Sequence, residues 1–150
     1  MNLPSIIPSY VYALFASAIV GTIIVSACGL SISNVKRQAE EQQLSSITNY
    51  VASESLQLIS ETAPENLTTT ILLNLPTSIG GQTYWVRLAN DTTTAWVDVG
   101  FGVPAEAGGN RMIMPSDVSA SGTFRSSSGF ALLRCYSNSE GVHLTIMEAS

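Results

Sequence analysis

The chain has 150 residues, six of them Lys or Arg and eleven Asp or Glu, for a net charge of −5 at pH 7. Charged residues make up 11% of it, well below the roughly 25% of ordinary soluble domains. Past Arg37 four arginines (Arg87, Arg111, Arg125, Arg134) stand against all eleven acids, 4 − 11 = −7, which argues against a nucleic-acid partner.

From Met1 to Val35 there is no charged side chain, and Tyr10 to Ile32 is almost wholly apolar or small. As a helix that central run measures roughly 34 Å, enough to cross a hydrocarbon core of about 30 Å. Residues 1–33 therefore read as a transmembrane or filament-core helix. Within it Ala13, Ser17 and Gly21 recur at every fourth position, with Ala18, Thr22 and Ser26 in a parallel row. Such ridges of small residues let helix backbones approach closely in an apolar solvent, so this helix is suited to packing against its own copies.

Beyond Asn34 the sequence turns polar while apolar residues keep helical spacing. Leu44, Ile47, Val51 and Leu58 fall near one stripe, with Tyr50 and Ile59 beside it. Residues 34–62 read as an amphipathic continuation of the same helix. It should run from about Tyr10 to about Ser60 and stop at Ala63-Pro64.

Residues 63–150 read as a β head. Alternation places strands over 69–75, 82–88, 95–101 and 111–114, then weakly near 122–125, and again over 130–136 and 142–147. Gly80-Gly81, Asn90-Asp91, Gly108-Gly109-Asn110 and Asn138 to Gly141 supply turn chemistry. Short sequential strands predict an antiparallel meander with one apolar face, covered by the stripe Leu44, Ile47, Val51 and Leu58. The fold class is thus α+β, a long helix packed on a small antiparallel sheet.

Centring the first hairpin on Asn90-Asp91 sets Tyr84 opposite Val97, Val86 opposite Ala95 and Trp85 opposite Trp96. Both indoles then face away from the helix and towards water, which makes Trp85 and Trp96 candidates for a subunit interface. The second hairpin pairs Leu133 with Ile146 and Cys135 with Leu144 inside, and Tyr136 with His143 outside.

No catalytic, cofactor or metal constellation is legible. The single histidine, His143, has no helpers at ligand spacing and reads as a surface residue. Cys135 reads as a buried thiol, since Arg134 beside it on a strand points to the opposite face. Cys28, in the hydrophobic helix, is no disulfide partner for it. The sequons at Asn66 and Asn90 allow N-glycosylation. The reading is of a protein that is not an enzyme, without small-molecule substrate or cofactor.

A hydrophobic helix leading into an amphipathic one, ahead of a small β head, resembles the archaeal type IV pilin and archaellin-like filament subunits. The phrase Leu75-Pro76-Thr77-Ser78-Ile79-Gly80-Gly81 followed by Tyr84-Trp85-Val86 is similar to a strand-turn-strand phrase of that family. The resemblance implies an extracellular homo-oligomeric filament, a surface appendage or adhesin, with helices in its core and heads outside. Prepilins carry a basic segment ending in Gly or Ala before the helix; Met1 to Ser9 has no Lys or Arg. The departure implies a chain already mature, or one kept uncut as a membrane-anchored accessory.

Two alternatives stand beside this. Val25-Ser26-Ala27-Cys28 resembles a bacterial lipoprotein cleavage box, which would leave Cys28 lipidated. A single-pass anchored extracellular binding module that does not polymerise is the other. Lys36 and Arg37 flank the C-terminal end of the span, a small positive-inside bias towards a cytoplasmic head, against a Ser/Thr/Asn-rich composition that suits the cell exterior.

Overall fold

A computed structural model describes residues 6–62, 67–104, 110–115 and 117–149. Its contacts divide the chain into two compact units, Met1–Ala39 and Glu40–Ser150. The helix α1 occupies Ile6–Thr62. It begins four residues before the expected Tyr10, because Pro8 falls in the first turn, where a missing N–H has no intrahelical bond to lose. The expected stop, Ala63-Pro64, lies outside the described residues, as does Asn66.

In the first unit the side chains from Tyr10 onward are exposed without interruption to Ala39. Among the described residues one helix is long and apolar enough to cross a membrane, and none of its apolar window is buried.

The second unit contains the end of α1 and eight strands: β1 (Thr68–Leu73), β2 (Tyr84–Asn90), β3 (Ala95–Phe101), β4 (Asn110–Met114), β5 (Val118–Ser121), β6 (Thr123–Arg125), β7 (Phe130–Asn138) and β8 (Gly141–Ala149). They form two four-stranded sheets, in the orders β1-β7-β8-β5 and β4-β3-β2-β6. The expected meander is corrected here. β5 was not legible, since Val-Ser-Ala-Ser carries little apolar bulk, and it pairs with β8 in parallel. The chain then passes from the first sheet to the second at Gly122, whose φ is +112°. A Cβ there would collide with the backbone carbonyl of Ile146, and the Gly122 carbonyl accepts a hydrogen bond from Leu88 N–H at 2.9 Å. Only glycine fits such a corner.

One buried cluster joins the inner faces of both sheets to the helix stripe. Leu44, Ile47, Val51 and Leu58 lie in it with Tyr84, Val86, Val97, Val99, Leu133 and Ile146. Polar contacts tie the seam at its rim. The Thr48 hydroxyl donates to the Asn110 carbonyl at 3.3 Å, and the Asn110 amide donates to the Glu41 carbonyl at 3.3 Å. Asn74 N–H donates to the Tyr50 phenol at 3.4 Å. The Tyr84 phenol donates to the Pro76 carbonyl at 2.6 Å, and burial pushes its pKa up to about 12, so it stays a donor.

The two hairpins differ in how they match the expected register. In β7–β8, Leu133 faces Ile146, Cys135 faces Leu144 and Tyr136 faces His143. In β2–β3 the expected partners are displaced by four residues. Val86 faces Val99 rather than Ala95, Tyr84 faces Phe101 rather than Val97, and Trp85 faces Gly100 rather than Trp96. The cause is Asp91. Its Oδ1 accepts from Thr93 N–H at 2.8 Å and Thr94 N–H at 2.7 Å, and its own N–H donates to the Thr94 carbonyl at 2.9 Å. The loop is therefore Asp91 to Thr94, and Asn90 pairs with Ala95. Because the displacement is even, each residue keeps its face.

Leu58 is 1% exposed and Val51 wholly buried. Leu58→Ala should cost about 2–5 kcal/mol in denaturant titrations of the full chain in detergent, followed by tryptophan fluorescence. Val51→Asp should abolish the cooperative transition, since an unpaired charge would sit in the seam.

Candidate functional site

The outer face of the second sheet holds a polar cluster built by strand register. Across β6, β2, β3 and β4 the residues of this face fall in three rows. Arg125, Trp85 and Gly100 form the first, and Thr123, Arg87, Asp98 and Arg111 the second. Ala89, Trp96 and Ile113 form the third.

Asp98 is the centre of this face. Its Oδ2 accepts from Arg87 at 2.9 Å and from Arg111 at 3.0 Å, and the residue is 1% exposed. Burial on its own would raise the Asp98 pKa, but hydrogen bonds from Arg111 and Arg87, with their charges, hold it below the usual carboxylate range. Each arginine also lies over an indole, Arg87 at 5.5 Å from the Trp85 ring and Arg111 at 4.5 Å from the Trp96 ring. This Arg-Asp-Arg ladder was not anticipated. The available signal was an aspartate in the middle of the apolar strand Ala95 to Phe101, on the same face as Trp96.

Trp85 is corrected as an interface candidate. It is 1% exposed, and its indole N–H donates to the Phe101 carbonyl at 3.2 Å. Trp96 is half-buried beneath Arg111, and Ile113 beside it is exposed. The two indoles do not oppose one another, so they form no cross-strand pair.

A second feature lies where the β2–β3 loop, the start of β5 and the β7–β8 turn converge. An open cleft of about 480 Å³ is lined there by Asp91, Asp117, Glu140 and His143 among others, with no Lys or Arg. The Asp91 carboxyl is held below its usual range chiefly by the backbone N–H groups of Thr93 and Thr94. His143 stacks on Tyr136 with ring centres 4.7 Å apart. Among the described residues no group of three or more His, Cys, Asp or Glu is placed to hold a metal ion.

On the first unit Ala13, Ser17 and Gly21 are exposed, and nothing lies within 4 Å of a Cβ built at Gly21. The Ser17, Thr22 and Ser26 hydroxyls donate to carbonyls one turn back, at 2.9, 2.8 and 2.9 Å, so the polar groups of these rows are satisfied within the helix. Cys28 and Cys135 are free thiols, the first exposed and the second buried, where burial pushes the Cys135 pKa up. Asn90 is exposed, and its side-chain amide donates to the Asp91 carbonyl at 3.1 Å.

Compared with protein-family models, curated proteins and solved structures, the chain matches none.

Because the folded Asp98 carboxyl titrates below its unfolded value of about 3.9, its stabilisation is complete above that value. It is lost as pH falls through the folded value. Asp98→Asn should therefore cost about 1.5–3 kcal/mol at pH 7, the worth of charged hydrogen bonds to arginines that reach solvent. The penalty should shrink as pH is lowered below 4. Melting curves of wild type and variant at pH 7, 5, 4 and 3 check both the size and the sign.

Proposed function

We propose that this chain is the structural subunit of an extracellular type IV pilus-like filament, a surface appendage or adhesin assembled through its N-terminal helix. One observation carries the reading. Thirteen large apolar side chains between Tyr10 and Val35 are exposed in the single chain. Covering them is worth on the order of 20 kcal/mol or more, at about 1.5–3 kcal/mol per side chain. That exceeds the whole stability of a typical domain, about 5–15 kcal/mol, so the segment belongs in lipid or among other apolar helices. The row Ala13, Ser17 and Gly21, with its hydroxyl satisfied and open space over Gly21, favours helices over lipid alone. The reading assigns no catalytic role to any residue, and the β heads serve as the outer surface.

The competing occupant of the same helix is a bilayer, with the chain a single-pass anchored module. Electron micrographs of cells producing a tagged copy separate the two. The filament reading expects gold-labelled fibres of uniform width, and expects Gly21→Leu to reduce their number strongly while the head still folds. Label confined to membranes, with no fibres from the wild type, contradicts it.

A further inference from the structure

We propose that the Arg125–Arg111–Ile113 side of the second sheet is a docking surface for a second copy of this chain, which presents the acidic rim of Asp91, Asp117 and Glu140. The observations are a charge pattern and an apolar one. The second unit carries −7 overall, yet three of its four arginines, Arg87, Arg111 and Arg125, stand on this one face. The only acid among them in the described residues, Asp98, is buried at 1% and already bound to two guanidinium groups. Solvent therefore meets Arg125, exposed, and Arg111, whose side chain is 41% exposed while it bonds Asp98. Beside them Ile113 is 69% exposed, against a half-buried Trp96. Arginine and tryptophan around an exposed aliphatic group make the composition of an interface centre rather than of a solvated sheet face.

The partner is identified by charge. Asp91, Asp117 and Glu140 are all exposed on one rim whose lining holds no Lys or Arg. A basic patch and an acidic rim at different places on one chain are complementary between copies and repel when like meets like. Joining two different patches is a heterologous contact, which leaves the same two patches free at the ends and so propagates. The inference rests on the filament reading, which brings heads side by side, and names which surfaces meet there.

The test uses full-length chains carrying Cys28→Ser, so that no exposed native thiol competes among the described residues. One carries Ile113→Cys and a long tag, the other Ser139→Cys and a short tag. They are mixed in detergent, the detergent is removed, and the thiols are oxidised. The expected product is a mixed-size disulfide dimer. Its yield should fall about tenfold with Arg125→Glu on the first chain, equivalent to about 1.4 kcal/mol. It should recover when the second chain also carries Glu140→Arg, and fall in 1 M salt, where the screening length is about 3 Å. Arg125 is exposed on a short edge strand, so its reversal leaves the fold intact, which a melting curve verifies. Cross-linking without fibres supports the contact while removing the filament reading. Fibres with no mixed dimer, and no response to Arg125→Glu, overturn the contact and leave the filament reading standing. Loss of binding to phosphatidylglycerol vesicles on Arg125→Glu, again without a mixed dimer, overturns it in favour of an anionic lipid surface.

Discussion

A run of apolar helix whose side chains stand exposed in the single chain is the constraint on which the rest of this molecule depends. From Tyr10 to Val35 the helix exposes thirteen large apolar side chains, and the hydroxyls of Ser17, Thr22 and Ser26 among them are bonded to its own backbone. Such a surface is costly to leave in water and is long enough to match a hydrocarbon core. Among the described residues, those of α1 that enter the buried cluster begin at Leu44. The sequence of α1 changes character from apolar to amphipathic at Lys36 to Gln43.

The second half of α1 answers to a different need. Two short sheets, with strands of three to nine residues, bury little on their own, and domains of about this size bury only around 60% or a little more of their unfolded surface. The stripe Leu44, Ile47, Val51, Leu58 adds side chains 7%, 6%, 0% and 1% exposed to the shared core. On the far side of the second sheet the Arg87-Asp98-Arg111 ladder and the two indoles close the face that the helix does not reach. There a buried carboxylate is retained by two guanidinium groups instead of by apolar packing.

What was legible followed from periodicity, and what was missed followed from turn chemistry and small residues. The two-fold alternation assigned faces correctly throughout β2, β3, β7 and β8, because parity survives any even displacement. The β7–β8 partners were legible because the Asn138–Gly141 pair closes the tightest loop available. Partners in β2–β3 were not, because Asp91 closes a four-residue loop with its own carboxylate, and a chain of Asn, Asp and three Thr offers several equally polar turn centres. That displacement hid the site. In the expected register Arg87 faces Thr94, which carries no charge; four residues on, it faces Asp98. β5 escaped for want of bulk, and with it the parallel pairing and the Gly122 crossing that turn a meander into two sheets.

The central claim is that copies of this chain cover one another's helices between Tyr10 and Val35. Cys28 lies inside that segment and is exposed, whereas Cys135 is buried, so one fluorophore can be placed on the helix of the otherwise unaltered protein. The most direct measurement is fluorescence anisotropy of the Cys28-labelled chain after detergent removal, at rising fractions of unlabelled chain. The account predicts strongly depolarised emission from energy transfer between neighbouring labels, with anisotropy climbing as unlabelled copies dilute them. Anisotropy that is high from the start and indifferent to the labelled fraction, in protein whose head remains folded, would show helices standing apart and contradict it.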